Sequence, residues 1–294
     1  TDQYASADDL FSIISQVSQA TGVDVYSVDT GLSLEGVDLG SGNVRTVAAP
    51  RVAMLVGDGV AATEAGFTWY LLDSQLGMPI TKVNTSQFGQ LRIQDYTSLI
   101  MVSGNYNQLG ETGFTKIKNW VQQGGTLILI RNAVSWAIQN KVIDEQVKKE
   151  EEKKDTKRID YVTAGDYQGS RAIGGSIYMT DIDITHPLGF GYTSRSLPVW
   201  RNHNIILEPA KNPFSTVSKC TSNPHLSGYI HKANLEKIKN SPSLVVSASG
   251  QGRAILMLDD PNFRGYWFGT NRLFFNALFF GPLITAPGFD GEEH

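Results

Sequence analysis

The sequence predicts an α/β domain built on a largely parallel sheet with helices on its faces. Three observations predict it. Val52-Ala53-Met54-Leu55-Val56 and Thr126-Leu127-Ile128-Leu129-Ile130 are near-continuous apolar runs, the pattern of strands buried on both faces. Stretches with helical periodicity alternate with such runs at the spacing of βαβ units. The runs stop abruptly at Gly57-Asp58-Gly59 and at Arg131-Asn132, where turns belong.

In chain order, Leu10, Ile13, Ile14 and Val17 recur at helical spacing behind Ser6 as N-cap, with Asp8 and Asp9 in the first turn and Gly22 as the stop. Val23, Val25 and Val28 then read as a short strand, and the Gly- and Ser-rich segment 31–43 reads as a linker or surface flap. After the strand at Val52, a helix is expected with Thr63 as N-cap, Glu64 near its start and Phe67, Tyr70 and Leu71 on one face. Gly77 and Pro79 end it. Strands follow at 80–83 and 98–103, then a helix at 111–123 with Phe114, Ile117 and Val121 on one face, and the strand at 126–130. Val134, Ile138 and Val142 carry helical spacing into a charged excursion at 148–158, read as a solvated helix end or mobile stretch. Residues 159–225 read as an irregular β-rich insertion with strand-like pieces at 172–178 and 205–207. Strands at 244–248 and 254–258 and a helix at 271–280 close the chain. The expected organisation is an N-terminal helix-strand and linker packing on the main domain (1–48), the α/β domain (49–285) and a tail (286–294).

Composition narrows the function classes. With 294 residues, 41% of them hydrophobic and only 18% charged, the chain has material for a substantial core and is neither disordered nor coiled coil. A net charge of -4 offers no general attraction to phosphate backbones, so no nucleic-acid partner is expected. The apolar stretch 273–284 is broken by Asn276, Gly281 and Pro282, so no membrane span is expected. Cys220 is the single cysteine, which rules out an intrachain disulfide and a four-cysteine zinc site. The start at Thr1, without a leader, reads as a processed product or a fragment.

In a parallel α/β sheet, ligands bind beyond the carboxyl ends of the strands. The polar residues there are Asp58, Asn105, Asn132, Asp259, Asp260 and Asn262, with Glu64 on the following helix, and they form a candidate crevice. Each also has an ordinary use, capping a helix or closing a turn. Other motifs are thin. Ser135 lacks the flanking glycines of a nucleophile elbow, and Gly57-Asp58-Gly59 lacks the Lys-Ser/Thr of a phosphate loop. His225 and His231 have no third ligand in sequence, and Asp181 and Asp183 alternate with isoleucine as a half-exposed strand does. Cys220 falls in a segment read as irregular.

The run of Gly57-Asp58-Gly59, Glu64-Ala65-Gly66, Leu71-Leu72-Asp73, Ser103-Gly104 and Gly124-Gly125-Thr126-Leu127-Ile128 resembles the class I glutamine amidotransferase-like fold, a flavodoxin-like three-layer sandwich with a mainly parallel sheet. The chain is also similar to the non-peptidase C-terminal region of bacterial zinc carboxypeptidases of the carboxypeptidase A type. Gly40-Ser41-Gly42-Asn43-Val44-Arg45, Thr185-His186-Pro187-Leu188-Gly189-Phe190-Gly191-Tyr192, Ser227-Gly228-Tyr229-Ile230 and Asp260-Pro261-Asn262-Phe263-Arg264 carry that similarity. The resemblance implies an elbow after the strand at 126–130 that holds a catalytic Cys in active amidotransferases, and a His-Pro-Glu after a late strand. This chain has Arg131-Asn132-Ala133 and Asp260-Pro261-Asn262 there. Without a thiolate no glutaminyl thioester forms.

The resemblance to the carboxypeptidase region implies a catalytically silent accessory domain of a secreted or periplasmic zinc carboxypeptidase. Its zinc would lie in an N-terminal peptidase domain, since no His-x-x-Glu occurs here, and that domain would be the partner. The strand-end residues would be a vestigial pocket for a peptide or sugar. Two rival readings stand beside it. One is a hydrolase using Asp58 or Asp260 as general base, and the other is a structural or oligomerising domain suggested by the aromatic residues between Phe263 and Phe280.

Overall fold

The computed structural model describes residues 6–148, 158, 160–285 and 287, so most of the charged excursion and of the tail lies outside the described residues. Two compact units divide the chain, 1–46 and 47–294. In the first, helix α1 (Ala7–Thr21) forms as its sequence dictates. Ser6 accepts from the Asp9 amide, and Gly22 ends the helix at φ 67, returning its N–H to Ser18. The strand expected at Val23, Val25 and Val28 is absent. Those residues are exposed and no strand among the described residues pairs with them; the Val23 carbonyl accepts from Ser18 Oγ at 2.7 Å instead, and alternating valines form a strand only where a neighbour accepts their backbone bonds.

The second unit is built on one nine-stranded sheet in the order β2-β1-β3-β4-β9-β8-β7-β5-β6. The strands are β1 (Val52–Val56), β2 (Thr81–Asn84), β3 (Ser98–Met101), β4 (Thr126–Ile130), β5 (Ser176–Ile182), β6 (Ser196–Arg201), β7 (Thr216–Ser227), β8 (Pro242–Ser249) and β9 (Gly252–Met257). From β2 to β9 the neighbours are parallel, and this half follows the 2-1-3-4-5 order of flavodoxin-like sheets. From β9 to β6 every pairing is antiparallel, so the sheet is mixed rather than mainly parallel. The expected irregular insertion is what builds that half. β7 is a twelve-residue strand whose register shifts against both neighbours, and such bulges erase the period-2 signal in sequence.

Helices cover both faces. They are α2 (Ala62–Trp69), α3 (Gly110–Gln122), α4 (Asn132–Gln139), α5 (Ala164–Arg171), α6 (Lys232–Ile238) and α7 (Asn271–Phe279). The strand residues divide by parity. Met54, Ile100, Ile128 and Ile255 pack with Leu71, Leu72, Phe274 and Leu278, the side of α2 and α7. Leu55, Leu99, Leu127, Leu129 and Leu256 pack with Ile117, Val121, Val134 and Trp136, the side of α3 and α4. Each such side chain is worth about 1.5–3 kcal/mol when buried, so both layers are held by their central strands.

Local detail departs from expectation in three places. Helix α2 has Ala61 rather than Thr63 as its N-cap and continues from Tyr70 to Gln75 as a π-helix. Helix α4 ends at Gln139, before Val142. The segment 205–207 contributes one isolated bridge, Leu207 to Val147, and no strand.

Candidate functional site at the strand ends

β4 is buried along its whole length and ends at Arg131, whose φ of 54° and ψ of -116° turn the chain directly into α4 at Asn132. A non-glycine residue in this region costs roughly 1–3 kcal/mol, a strain kept only where the surroundings over-determine it. Here the backbone is pinned on both sides. The Arg131 amide donates to the Met257 carbonyl of β9 at 2.8 Å, and the Arg131 carbonyl accepts from the Val134 amide at 2.9 Å. The strand-to-helix elbow is therefore present, and an arginine occupies it.

Glu64, in the first turn of α2, meets that arginine. Arg131 Nη1 donates to Glu64 Oε1, and Glu64 Oε2 accepts from the Ser103 amide at the end of β3 at 3.1 Å. Both side chains are nearly enclosed, 13% and 11% exposed. Burial lowers the pKa of the Arg131 guanidinium, and the Asp260 and Asp259 carboxylates oppose that. A protonated guanidinium has no lone pair to give, so Arg131 can hold an acceptor but cannot attack one.

Asp260 follows β9. Its Oδ1 accepts from the Asn262 amide at 2.9 Å, and its Oδ2 is buried without a hydrogen-bond partner among the described residues. Burial pushes its carboxyl pKa up, the Asn262 amide and Arg131 pull it down, and Asp259 adds to the rise. Asn262 is buried and reaches Thr68 Oγ1 at 3.5 Å. Asp259 serves a different purpose. It takes Arg201 Nε at 2.6 Å and Nη2 at 3.1 Å, with Ser243 Oγ as a further donor. Burial would raise the Asp259 carboxyl, but the Arg201 charge and hydrogen bonds hold it below its ordinary range. Beside the pair, burial and then the Arg201 charge push His203 down to about 3, so its ring is neutral.

Glu64, Asp260 and the unforeseen Arg131 are thus electrostatically linked, with Asn262 beside Asp260 in sequence. Asp259 is tied into a buried ion pair with β6. Asp58 and Asn105 are exposed on turns, and Asn132 is exposed in the first turn of α4. The Asp58 carbonyl accepts from Thr85 Oγ1 at 3.2 Å, and Asn105 Oδ1 accepts from the Asn107 amide at 2.9 Å, which is turn-closing work. The loops after β1 and β3 are also laced together. Asn105 N donates to Gly59 O at 2.8 Å, and Ala61 N donates to Ser103 O at 2.9 Å. Gly59 sits at φ 81, and a Cβ there would run into the Asn105 carbonyl. The cavity lined by Asp259 and Asp260 measures about 20 Å³, space for one water rather than a ligand.

Arg131 was not among the expected site residues, because the elbow was judged by its missing thiol. The available signal was a polar residue directly between a fully apolar strand and a helix. Cys220 is not in an irregular segment but inside β7, fully buried and far in sequence from the elbow, and burial raises its thiol pKa. Ser135 lies within α4 and not at the elbow. Asp181 is paired with Arg195 at 2.8 Å, and His231 caps α6 through Nδ1. Among the described residues no group of three or more His, Cys, Asp or Glu is placed to hold a metal ion. No described helix is long and apolar enough to cross a membrane.

No family model and no curated protein matches the chain. Among solved structures it shows a weak likeness to a ThuA-like protein from Parabacteroides merdae, at TM-score 0.49 and 13% identity over 80% of this chain and 90% of that one. A Thermoplasma acidophilum protein assigned to GMP synthase gives TM-score 0.47 and 10% identity over 79% and 94% of the two chains. The glutaminase domain of Trypanosoma brucei CTPS, with bound acivicin, gives 0.45 and 11% over 81% and 97%. At these identities nothing about activity carries from those proteins to this chain.

Proposed function

We propose that this chain is a non-catalytic accessory domain with an amidotransferase-like fold whose elbow has become a structural post. The observation that supports it is the Arg131–Glu64 ion pair, which puts a guanidinium where the amidotransferase resemblance expects a nucleophile and fills the space around it. The finer reading rests on sequence resemblance alone. It makes the chain the C-terminal accessory part of a secreted or periplasmic zinc carboxypeptidase, packing against a peptidase domain that carries the zinc or presenting substrate to it. The test is a glutaminase assay on the purified chain together with metal analysis. The reading expects no ammonia release and no stoichiometric zinc, and either signal overturns it.

A hydrolase is the second reading, favoured by the raised pKa of the buried Asp260, the kind of shift a general base shows. Against it stands the water-sized space beside that carboxyl. Ester, amide or glycoside turnover that is lost in Asp260→Asn would establish the hydrolase and end the accessory reading.

A further inference from the structure

On the antiparallel half of the sheet, well away in sequence from the elbow, a cavity of about 270 Å³ opens between the turn at 183–187, the turn at 212–215, Val246 of β8, residues 283–285 and Pro287. It is slightly below the usual size of a drug-sized pocket and suits a small molecule.

Hydrogen bonds hold the two turns that form part of its wall. Asp183 leaves the end of β5 with its amide donating to the Val217 carbonyl at 2.8 Å, and its Oδ1 accepts from the Thr185 amide at 2.9 Å and from Thr185 Oγ1 at 2.7 Å. His186 Nδ1 accepts from the Leu188 amide at 3.0 Å, which places the ring proton on Nε2. Gly189 closes the turn where a Cβ would strike the Asp183 carbonyl, so the turn has one shape. On the opposite wall, Asn212 Oδ1 accepts from the Phe214 amide at 3.0 Å, and the Phe214 ring stands 57% exposed.

Among the described residues, three chemical functions at this cavity have no hydrogen-bond partner or cover. Asp183 Oδ2 is an anionic acceptor, His186 Nε2–H is a neutral donor, and Phe214 is an apolar platform. No Lys or Arg is among the described residues that line the cavity, and Arg195, whose charge reaches Asp183, is paired with Asp181, so an anion would meet the Asp183 carboxylate with no cation in the lining. A simple ammonium would satisfy Asp183 but leave the His186 N–H facing another donor. A molecule with adjacent hydroxyls satisfies both, because each hydroxyl donates and accepts, and the C–H face of a ring covers the phenyl. We propose that this cavity binds a neutral, monosaccharide-sized polyol, with Asp183 and His186 reading its hydroxyls and Phe214 carrying its apolar face. The site shares no residue with the strand-end elbow, so its fate and that of the accessory-domain reading are separate.

The test is calorimetry and ligand-observed NMR on the full chain, using the methyl glycosides of glucose, galactose and mannose and N-acetylglucosamine, with methylammonium and acetate as cationic and anionic controls. At least one sugar should bind with roughly millimolar affinity and the controls should not. Asp183→Asn and Phe214→Ala should each weaken that affinity about tenfold or more. Phe214 is exposed, so Phe214→Ala should keep the native circular dichroism spectrum even if Asp183→Asn disturbs its turn. Absence of binding by every sugar overturns the proposal. So does preference for methylammonium or acetate, or an affinity that Phe214→Ala leaves unchanged.

Discussion

Glu64 and Arg131, 67 residues apart in sequence, form an ion pair over the ends of β3 and β4, and the arginine makes it from a left-handed backbone position. Removing one member leaves the other nearly enclosed without its counter-charge. Breaking a fully buried pair costs about 3–5 kcal/mol, and the residual exposure of this one argues for roughly 2–3 kcal/mol in Glu64→Ala. Glu64→Gln keeps one acceptor oxygen, for Arg131 or for the Ser103 amide, and turns an NH2 toward the other donor, so it should cost about 1–2 kcal/mol, less than Glu64→Ala. Urea unfolding of both variants checks the order. Equal losses would mean that the carboxylate charge carries the whole stabilisation and the acceptor that Gln retains carries none.

Arg201 and Asp259 should behave more severely, since neither is exposed to solvent to any useful degree. Asp259→Ala is expected to cost about 3–5 kcal/mol or to prevent folding, because it strands a guanidinium in the core. Combining it with Arg201→Met should recover a large part of that loss, as replacing a buried pair by apolar groups often does. A double variant less stable than Asp259→Ala alone would contradict this.

His203 makes the fold sensitive to acid. Its folded pKa is pushed down to about 3, whereas the unfolded chain takes up the proton near 6.5. The contribution to stability is whole above the unfolded value and falls by about 1.4 kcal/mol per pH unit as pH drops toward the folded one. His203→Asn keeps an acceptor for the Ile205 amide, which His203 Nδ1 now accepts at 3.1 Å. The gap between native and variant stability should therefore shrink steadily below about pH 6.5. A constant gap would show that His203 titrates normally.

Asp260 works in the opposite sense. A carboxyl whose folded pKa lies above its unfolded value holds its proton longer in the folded chain, so stability is lost as pH rises from the unfolded value through the folded one. Asp260→Asn keeps the acceptor for the Asn262 amide and removes the titration. Its stability relative to the native chain should rise between acid and neutral pH, as read from thermal or urea unfolding in a series of buffers. A relative stability that falls over the same range would reverse the sign assigned to Asp260.

The parallel half of the fold was legible because buried strands such as 52–56 and 126–130 spell themselves out as apolar runs, and α3 carries its apolar face at regular spacing. The antiparallel half was not. Bulges in β7 break its alternation, and Pro198 sits in edge strand β6, where a missing donor is harmless, so neither strand announces itself. Alternation also misled in the other direction at Val23 to Val28, which has the pattern of a strand but no partner. In the site, residue types at the strand ends were readable, but which of them converge was not. Asp259 and Asp260 are neighbours in sequence, yet one is bound to Arg201 on β6 and the other responds to Arg131 at the end of β4. That division depends on side-chain direction, which the sequence does not carry.

β9 is the fifth strand of nine across the sheet but the last of the nine along the chain, and it pairs with β4 and β8 at once. While the protein is being made, every other strand has left the ribosome before this one, and until it arrives β4 and β8 each expose an unpaired edge. A chain halted before residue 252 would hold two half-sheets with open backbone facing each other. Such edges recruit other chains, so the gap of more than a hundred residues between β4 and β9 makes a pause in translation just before β9 a moment of high aggregation hazard.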